Sequence, residues 1–230
     1  MIYAVLGVIL LLAIYGPQWW IQWVMRHYSQ DLADIPGTGG QLARHLVERY
    51  QLENVKVEET DPMRDHYDPQ DQVVRLSPHN YHGKSLTAIA VAAHEVGHAI
   101  QFHRQEPISQ LRMKYLPTVF LIKKLGIGIL MFMPIVTALM RVPHAAIIMG
   151  VAGVVAMLVS AMMYLFILPE ELDASFNKAL PILTQGQYIK PEQEIAVRKI
   201  LKAAAYTYFA AALADIFSLW RWIGYLKRFR

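Results

Sequence analysis

The chain has 230 residues, 55% of them hydrophobic and only 17% charged, whereas soluble domains carry about a quarter charged residues. Long charge-poor runs of bilayer length exclude an ordinary globular domain, and the absence of cysteine excludes a disulfide framework, a thiolate metal site and a cysteine nucleophile. A formal charge of +4 suits the flanks of membrane helices better than nucleic acid, so a lipid bilayer is the expected partner and nucleic acid is not.

Met1 to Met25 carries no charged side chain and exceeds the roughly 20 residues that cross a bilayer. Residues 1–25 therefore read as an N-terminal transmembrane helix. A basic leader and a small-residue cleavage site are absent, so a retained anchor is expected rather than a cleaved signal. Gly16-Pro17 marks a kink, and Trp19, Trp20 and Trp23 suit the membrane interface, with Arg26 closing the run.

Residues 26–116 hold most of the Asp and Glu and are expected to form a water-exposed lobe. Leu42, Leu46 and Val47 recur at helical spacing up to Tyr50, and Val55 to Glu59 alternates as a strand. Tyr67 to Asp71 reads as a turn into a strand from Val73 to Ser77, which predicts a small antiparallel sheet. Ser85 is placed to cap a helix running through His94 to Ile100. Residues 117–168 contain two apolar runs, Leu125 to Met140 and Val142 to Pro169, joined at Arg141-Val142-Pro143-His144 as a transmembrane hairpin. In the region 169–230 a polar stretch precedes apolar Ala203 to Trp220, which contains Asp215 and is followed by Arg221 and Lys227-Arg228-Phe229-Arg230. That stretch fits a fourth span or a helix lying on the membrane. Arg26, Arg112, Lys114, Lys123 and Lys124 fall on the lobe side and Arg141 opposite, so the positive-inside rule puts the lobe in the cytoplasm.

The sharpest chemical feature is His94-Glu95-Val96-Gly97-His98. Residues four apart share a helix face, so two imidazoles converge on one metal ion with a carboxylate between them. Zinc suits nitrogen and oxygen ligands, and three protein ligands leave a position for water. Glu95 is then the general base for attack on a peptide carbonyl. Gly97 leaves room for another element against the helix. The third ligand is expected in Leu168 to Ser175, among Glu170, Glu171 and Asp173, and Glu171 is favoured because with Ala174 and Ser175 it resembles the Glu-x-x-Ala-Asp helix of membrane gluzincins. The same acids also suit a helix N-terminus.

Asp65-His66-Tyr67-Asp68-Pro69, Val73-Val74-Arg75-Leu76-Ser77, Ala92 to Gln101 and Glu171-Leu172-Asp173-Ala174-Ser175 together resemble the YugP-type membrane zinc metallopeptidases of bacteria, related to the HtpX-type gluzincins, over nearly the whole chain. The resemblance implies one zinc ion per chain, held by His94, His98 and Glu171, with Glu95 as general base. It also implies an α-helical integral membrane protein with three or four transmembrane helices and a small α+β zincin-like catalytic lobe, in the bacterial cytoplasmic membrane. Ser175 departs from the gluzincin pattern Glu-x-x-Ala-Asp, leaving open which residue orients the ligating histidines; Asp173 is one possibility.

In such peptidases the strand before the zinc helix offers its edge to substrate. Val73, Val74 and Arg75 are the candidate edge here, and His66 and Tyr67 stand close enough in sequence to polarise the scissile carbonyl. The expected substrate is a membrane or unfolded polypeptide, and a regulatory membrane partner or a second copy of the chain is compatible with the sequence. Two other readings compete: a site-2-type intramembrane protease, with Leu172-Asp173-Ala174 as a partial ligand motif, and a non-catalytic zinc-binding scaffold. A complete Glu95 argues against the scaffold.

Overall fold

The helix that carries the motif has no solvent-facing polar side over most of its length. α4, Leu86–His103, is buried at every residue from Leu86 to Gln101, as a helix without a polar face must be. Ser85 starts it, its Oγ accepting from the Ala88 amide at 3.1 Å and filling one of the vacant helix-end bonds. In this computed structural model of the protein, residues 2–140 and 143–226 are described, with side chains for 11–12, 15–139 and 144–216. The Arg141 charge, the Arg221 side chain and the tail Lys227 to Arg230, all used above, lie outside them.

Two compact units emerge. One comprises residues 18–110 and 168–207 and has α4 at its centre. α2, Gly39–Arg49, opens with a reciprocal capping box between Thr38 and Gln41 and buries Leu42, Ala43 and Leu46. A Cβ at Gly39 would lie 2.3 Å from the Asn80 carbonyl and 2.7 Å from that of Ala88. Only glycine lets α2 sit this close to α3, Pro78–His82, and to α4. After α4 in space come the segments that follow residue 172 in sequence. These are a π-helical stretch, Asp173–Ala179, then α7, Leu180–Gln185, and an amphipathic α8, Glu194–Ala205, burying Val197, Ile200 and Leu201.

The sheet corrects two expectations. β1, Lys56–Glu59, β2, His66–Asp68, and β3, Val73–Leu76, lie in the order β1-β3-β2. β2 pairs antiparallel to β3, as a hairpin must, but β1 pairs parallel to it from Lys56↔Val73 to Glu59↔Leu76. The sheet is mixed, not antiparallel, because the chain leaves β1, forms β2 on the far side and returns between them. β3 is consequently the central strand. Its backbone is taken on both sides, so Val73, Val74 and Arg75 offer no free edge to a substrate strand. Arg75 is engaged too, with Asp68 at 2.6 Å, Asp71 at 2.5 Å and Glu58 at 4.0 Å.

The other unit comprises residues 1–17, 111–167 and 208–230. Most of the long helices α5, Pro107–Met140, and α6, Pro143–Leu172, belongs to it, with α9, Thr207–Leu226, and the first part of α1, Ile2–His27, which runs on through Pro17. Small residues let α5 and α6 approach: a Cβ at Gly126 would stand 2.5 Å from that of Ala156, and one at Gly153 would meet Leu130 at 2.3 Å. Lys123 of α5 pairs with Asp215 of α9 at 2.8 Å, and Ser160 of α6 donates to the same carboxylate at 3.1 Å. Among the described residues, 107–139 and 144–185 form helices long and apolar enough to cross a membrane. Their outer faces expose Leu139 (82%), Ile148 (69%) and Met162 (69%), which the core helix of a soluble protein would hide.

The Arg75 cluster gives a stability prediction. Burial pushes the Asp68 carboxyl up, but the Asp71 and Gln70 amides and the Arg75 guanidinium outweigh it and hold it below its ordinary range. A depressed carboxyl adds stability that is present above about pH 4 and is lost as pH falls through the lower folded value. Arg75→Ala is expected to cost on the order of 1 kcal/mol at neutral pH. Chemical denaturation from pH 7 to 3 should show the penalty shrinking in acid; a penalty that grows there contradicts this assignment.

Candidate metal centre

One turn of α4 brings the imidazoles of His94 and His98 together, ring centroids 4.6 Å apart and Nε2 atoms 3.2 Å apart. Glu171, in the last turn of α6, places Oε2 3.3 Å from His94 Nε2 and 3.2 Å from His98 Nε2. All three residues are buried, and one ligand atom from each lies within 4.8 Å of the others. Two imidazole nitrogens and one carboxylate oxygen, crowded this closely out of water, match the donor set of a zinc ion with three protein ligands. A carboxylate accepts and cannot donate, so a cation among the three atoms satisfies them together.

Close approach of the ligand-bearing segments depends on Gly97, where a Cβ would lie 3.0 Å from the Ala174 carbonyl oxygen. From there the π-helical stretch presents Ser175 to α4. Ser175 Oγ lies 3.1 Å from the Leu201 carbonyl and 3.0 Å from His94 Nδ1. Its single proton must go to the carbonyl, so the hydroxyl accepts from His94 Nδ1–H, leaving the Nε2 lone pair facing Glu171. The residue that departs from the gluzincin pattern is thus itself the partner of His94. Asp173 instead accepts from Gln101 Nε2 at 2.8 Å.

Glu95 is buried beside the pair. Desolvation pushes its carboxyl above the ordinary range; His94 and His98 oppose the shift, and Glu171 and Asp65 add to it. Asp65 is fixed in turn, accepting from the Ser77 amide at 2.7 Å and from Asn80 Nδ2 at 2.9 Å. A divalent cation held by the neighbouring ligands would favour the ionised form and draw Glu95 back down.

The other candidates lie elsewhere. Glu170 is buried and its backbone carbonyl accepts from Gln101 at 3.0 Å, but it does not join the ligand group. His66 Nδ1 donates to the Arg64 carbonyl at 2.6 Å, so its ring is tied to its own loop. Tyr67 packs on Phe102, centroids 6.0 Å apart, and burial next to Asp68 pushes its phenol up to about 12. Gln101 has no role of its own in the sequence reading, although a residue three positions after His98 shares its helix face and is the one amide in an otherwise apolar turn.

Residues 2–227 match the family described as "putative neutral zinc metallopeptidase", and the chain belongs to that family. It is 35% identical to the "putative membrane protease YugP" of Bacillus subtilis (strain 168) over 224 residues, covering 95% of each chain. No solved structure matches it.

A larger side chain at Gly97 tests the packing. Gly97→Val should force α4 from Ala174, cost about 1–3 kcal/mol and lower the zinc content of the folded fraction. Unchanged stability together with full zinc occupancy would contradict the close approach.

Proposed function

We propose that the chain is a membrane-anchored zinc endopeptidase that hydrolyses peptide bonds in membrane or membrane-proximal polypeptides. The observation that carries this reading is the buried group His94, His98 and Glu171 with Glu95 in the same helical turn. A structural metal site has no use for that fourth group. His94 and His98 supply Nε2 and Glu171 supplies Oε2. When bound, zinc supplies Lewis acidity and lowers the pKa of a water molecule towards about 7. Glu95 takes the proton of the attacking water and returns it to the leaving amine, a role that needs a carboxyl whose affinity for the proton is tuned near neutrality.

The enclosure of α4 favours a lobe enzyme over a site-2-type protease. That class carries its motif in a spanning helix, whereas α4 is packed by α2, α3, the sheet, the π-helical stretch and α8. The lipid-like exposure of α5 and α6 supports membrane anchorage, and the relative's description as a membrane protease agrees with it. Tethering raises the local concentration of membrane-bound substrates. We further infer that α1, α5 and α6 span the cytoplasmic membrane, with the lobe inside, from the distribution of Arg26, Arg112, Lys114 and Lys124.

Glu95→Gln is expected to keep zinc and lose cleavage of unfolded or membrane substrates by a factor of about 100 or more, with metal content and turnover measured on the same purified sample. Cleavage at the wild-type rate would remove Glu95 from its role. Orientation has a direct probe because the chain has no cysteine. Met63 is 81% exposed, and Met63→Cys in intact cells should resist an impermeant thiol reagent and react after lysis. Labelling of intact cells would reverse the topology.

A further inference from the structure

The hydrogen bonds around Gln101 can be followed proton by proton. Its Oε1 lies 2.9 Å from His98 Nδ1, and its Nε2 lies 3.0 Å from the Glu170 carbonyl and 2.8 Å from Asp173 Oδ2. The two ends of an amide look alike in shape, and their assignment rests on partners. Here the partners decide it. A backbone carbonyl and a carboxylate can only accept, so both must face the NH2 end, and the amide cannot be turned round without setting oxygen against oxygen twice. The oxygen end is therefore committed to His98, and Nδ1 carries the proton it accepts. In the neutral ring the other nitrogen, His98 Nε2, then carries no proton and faces His94 and Glu171 at 3.2 Å each.

Nothing in Gln101 alone holds the amide in this sense; the next residues do. Asp173 accepts from Asn177 Nδ2 at 2.8 Å and from Lys178 Nζ, and Lys178 also reaches Glu106 at 3.0 Å. Asp173 and Lys178 are five residues apart, a separation that meets across a π turn and not across an α turn. The carboxylate is thus pinned to face Gln101 by groups on both sides of it.

We propose that Gln101 is a positioning residue for metal ligation, fixing the tautomer and orientation of His98, and that Asp173, held by Lys178, acts through it. The proposal rests on the zinc reading above. Ser175 does for His94 what Gln101 does for His98. The two histidines are oriented by neutral acceptors, and the nearest carboxylate of the relay stands one bond further out, paired with a lysine that Glu106 shares. Glu106 extends the relay to the end of α4, so the π-helical stretch and the loop after α4 are joined through the same chain of bonds.

The test is zinc affinity of the full-length protein in detergent, measured by competition with a chelator, beside thermal unfolding of the metal-free form. Gln101→Met keeps the volume and removes every bond. It should weaken zinc roughly 10- to 100-fold, the range for residues that orient metal-ligating histidines. Asp173→Asn still accepts from Gln101 but loses its charge and its hold on Lys178, and should weaken zinc several-fold in the same direction. A Gln101 that only braces α4 would lower the unfolding temperature and leave affinity alone. Folded Gln101→Met binding zinc as tightly as wild type overturns the proposal, and so does unchanged affinity in Asp173→Asn should Gln101→Met fail to fold. If wild type binds no zinc, the peptidase reading falls, and this inference with it; a tight wild type beside an equally tight variant removes the inference alone.

Discussion

Four polar side chains, His94, Glu95, His98 and Gln101, are carried into the interior on a helix that is buried on every side. Each gives up water when it enters, and a polar group buried without partners costs several kcal/mol. The lobe is arranged around that debt. Partners have to come from other elements at matching heights along α4, and they do: Glu171 and Ser175 from the end of α6 and the stretch beyond it, and Asp173 by way of Gln101. The apolar remainder of α4 supplies the complementary half, since Val96 and Ala99 bury fully against neighbours with no polar demand. Packing alone would leave the approach of those neighbours free to slide. The polar pairs fix its register.

That requirement also accounts for the π-helical stretch. After Glu171 a regular α-helix would carry each following side chain round by the same step. The wider turn from Asp173 to Ala179 lets Asp173 and Lys178 pair with each other while Ala174 and Ser175 remain against α4. π turns recur at functional sites because they re-aim side chains without breaking the helix. Gly97 is the counterpart on α4, where the absence of a side chain leaves space for the Ala174 carbonyl.

What could be read from the sequence was what depends on local spacing. Histidines four apart fix a shared face, Ser85 before an apolar run marks a helix start, and the acids Glu170, Glu171 and Asp173 stand out just past a long apolar run, with Glu171 favoured among them by the resemblance. The two apolar runs around residue 141 became α5 and α6 for the same reason. What could not be read depends on residues far apart in the chain. Alternation in Val55 to Glu59 and Val73 to Ser77 identifies strands but carries no information on direction, so the parallel pairing of β1 with β3 and the central place of β3 were invisible. With them went the idea that Val73, Val74 and Arg75 form a substrate edge. Ser175 looked like a loss against the gluzincin pattern because the Leu201 carbonyl, which takes its proton and so determines what it can do, lies 26 positions away.

The exchange of aspartate for serine at that position has an electrostatic consequence. Glu95 is already raised by burial, and Glu171 and Asp65 both add to the shift. A further carboxylate on His94 would stand among these acids and raise Glu95 again, since like charges oppose ionisation. Ser175 orients His94 without that charge. The carboxylate in that chain of bonds, Asp173, stands beyond Gln101 and is paired with Lys178, which Glu106 shares. The role proposed for Glu95 requires that it be ionised before it takes a proton. Ser175 and Gln101 thus give His94 and His98 hydrogen-bond partners that are themselves uncharged.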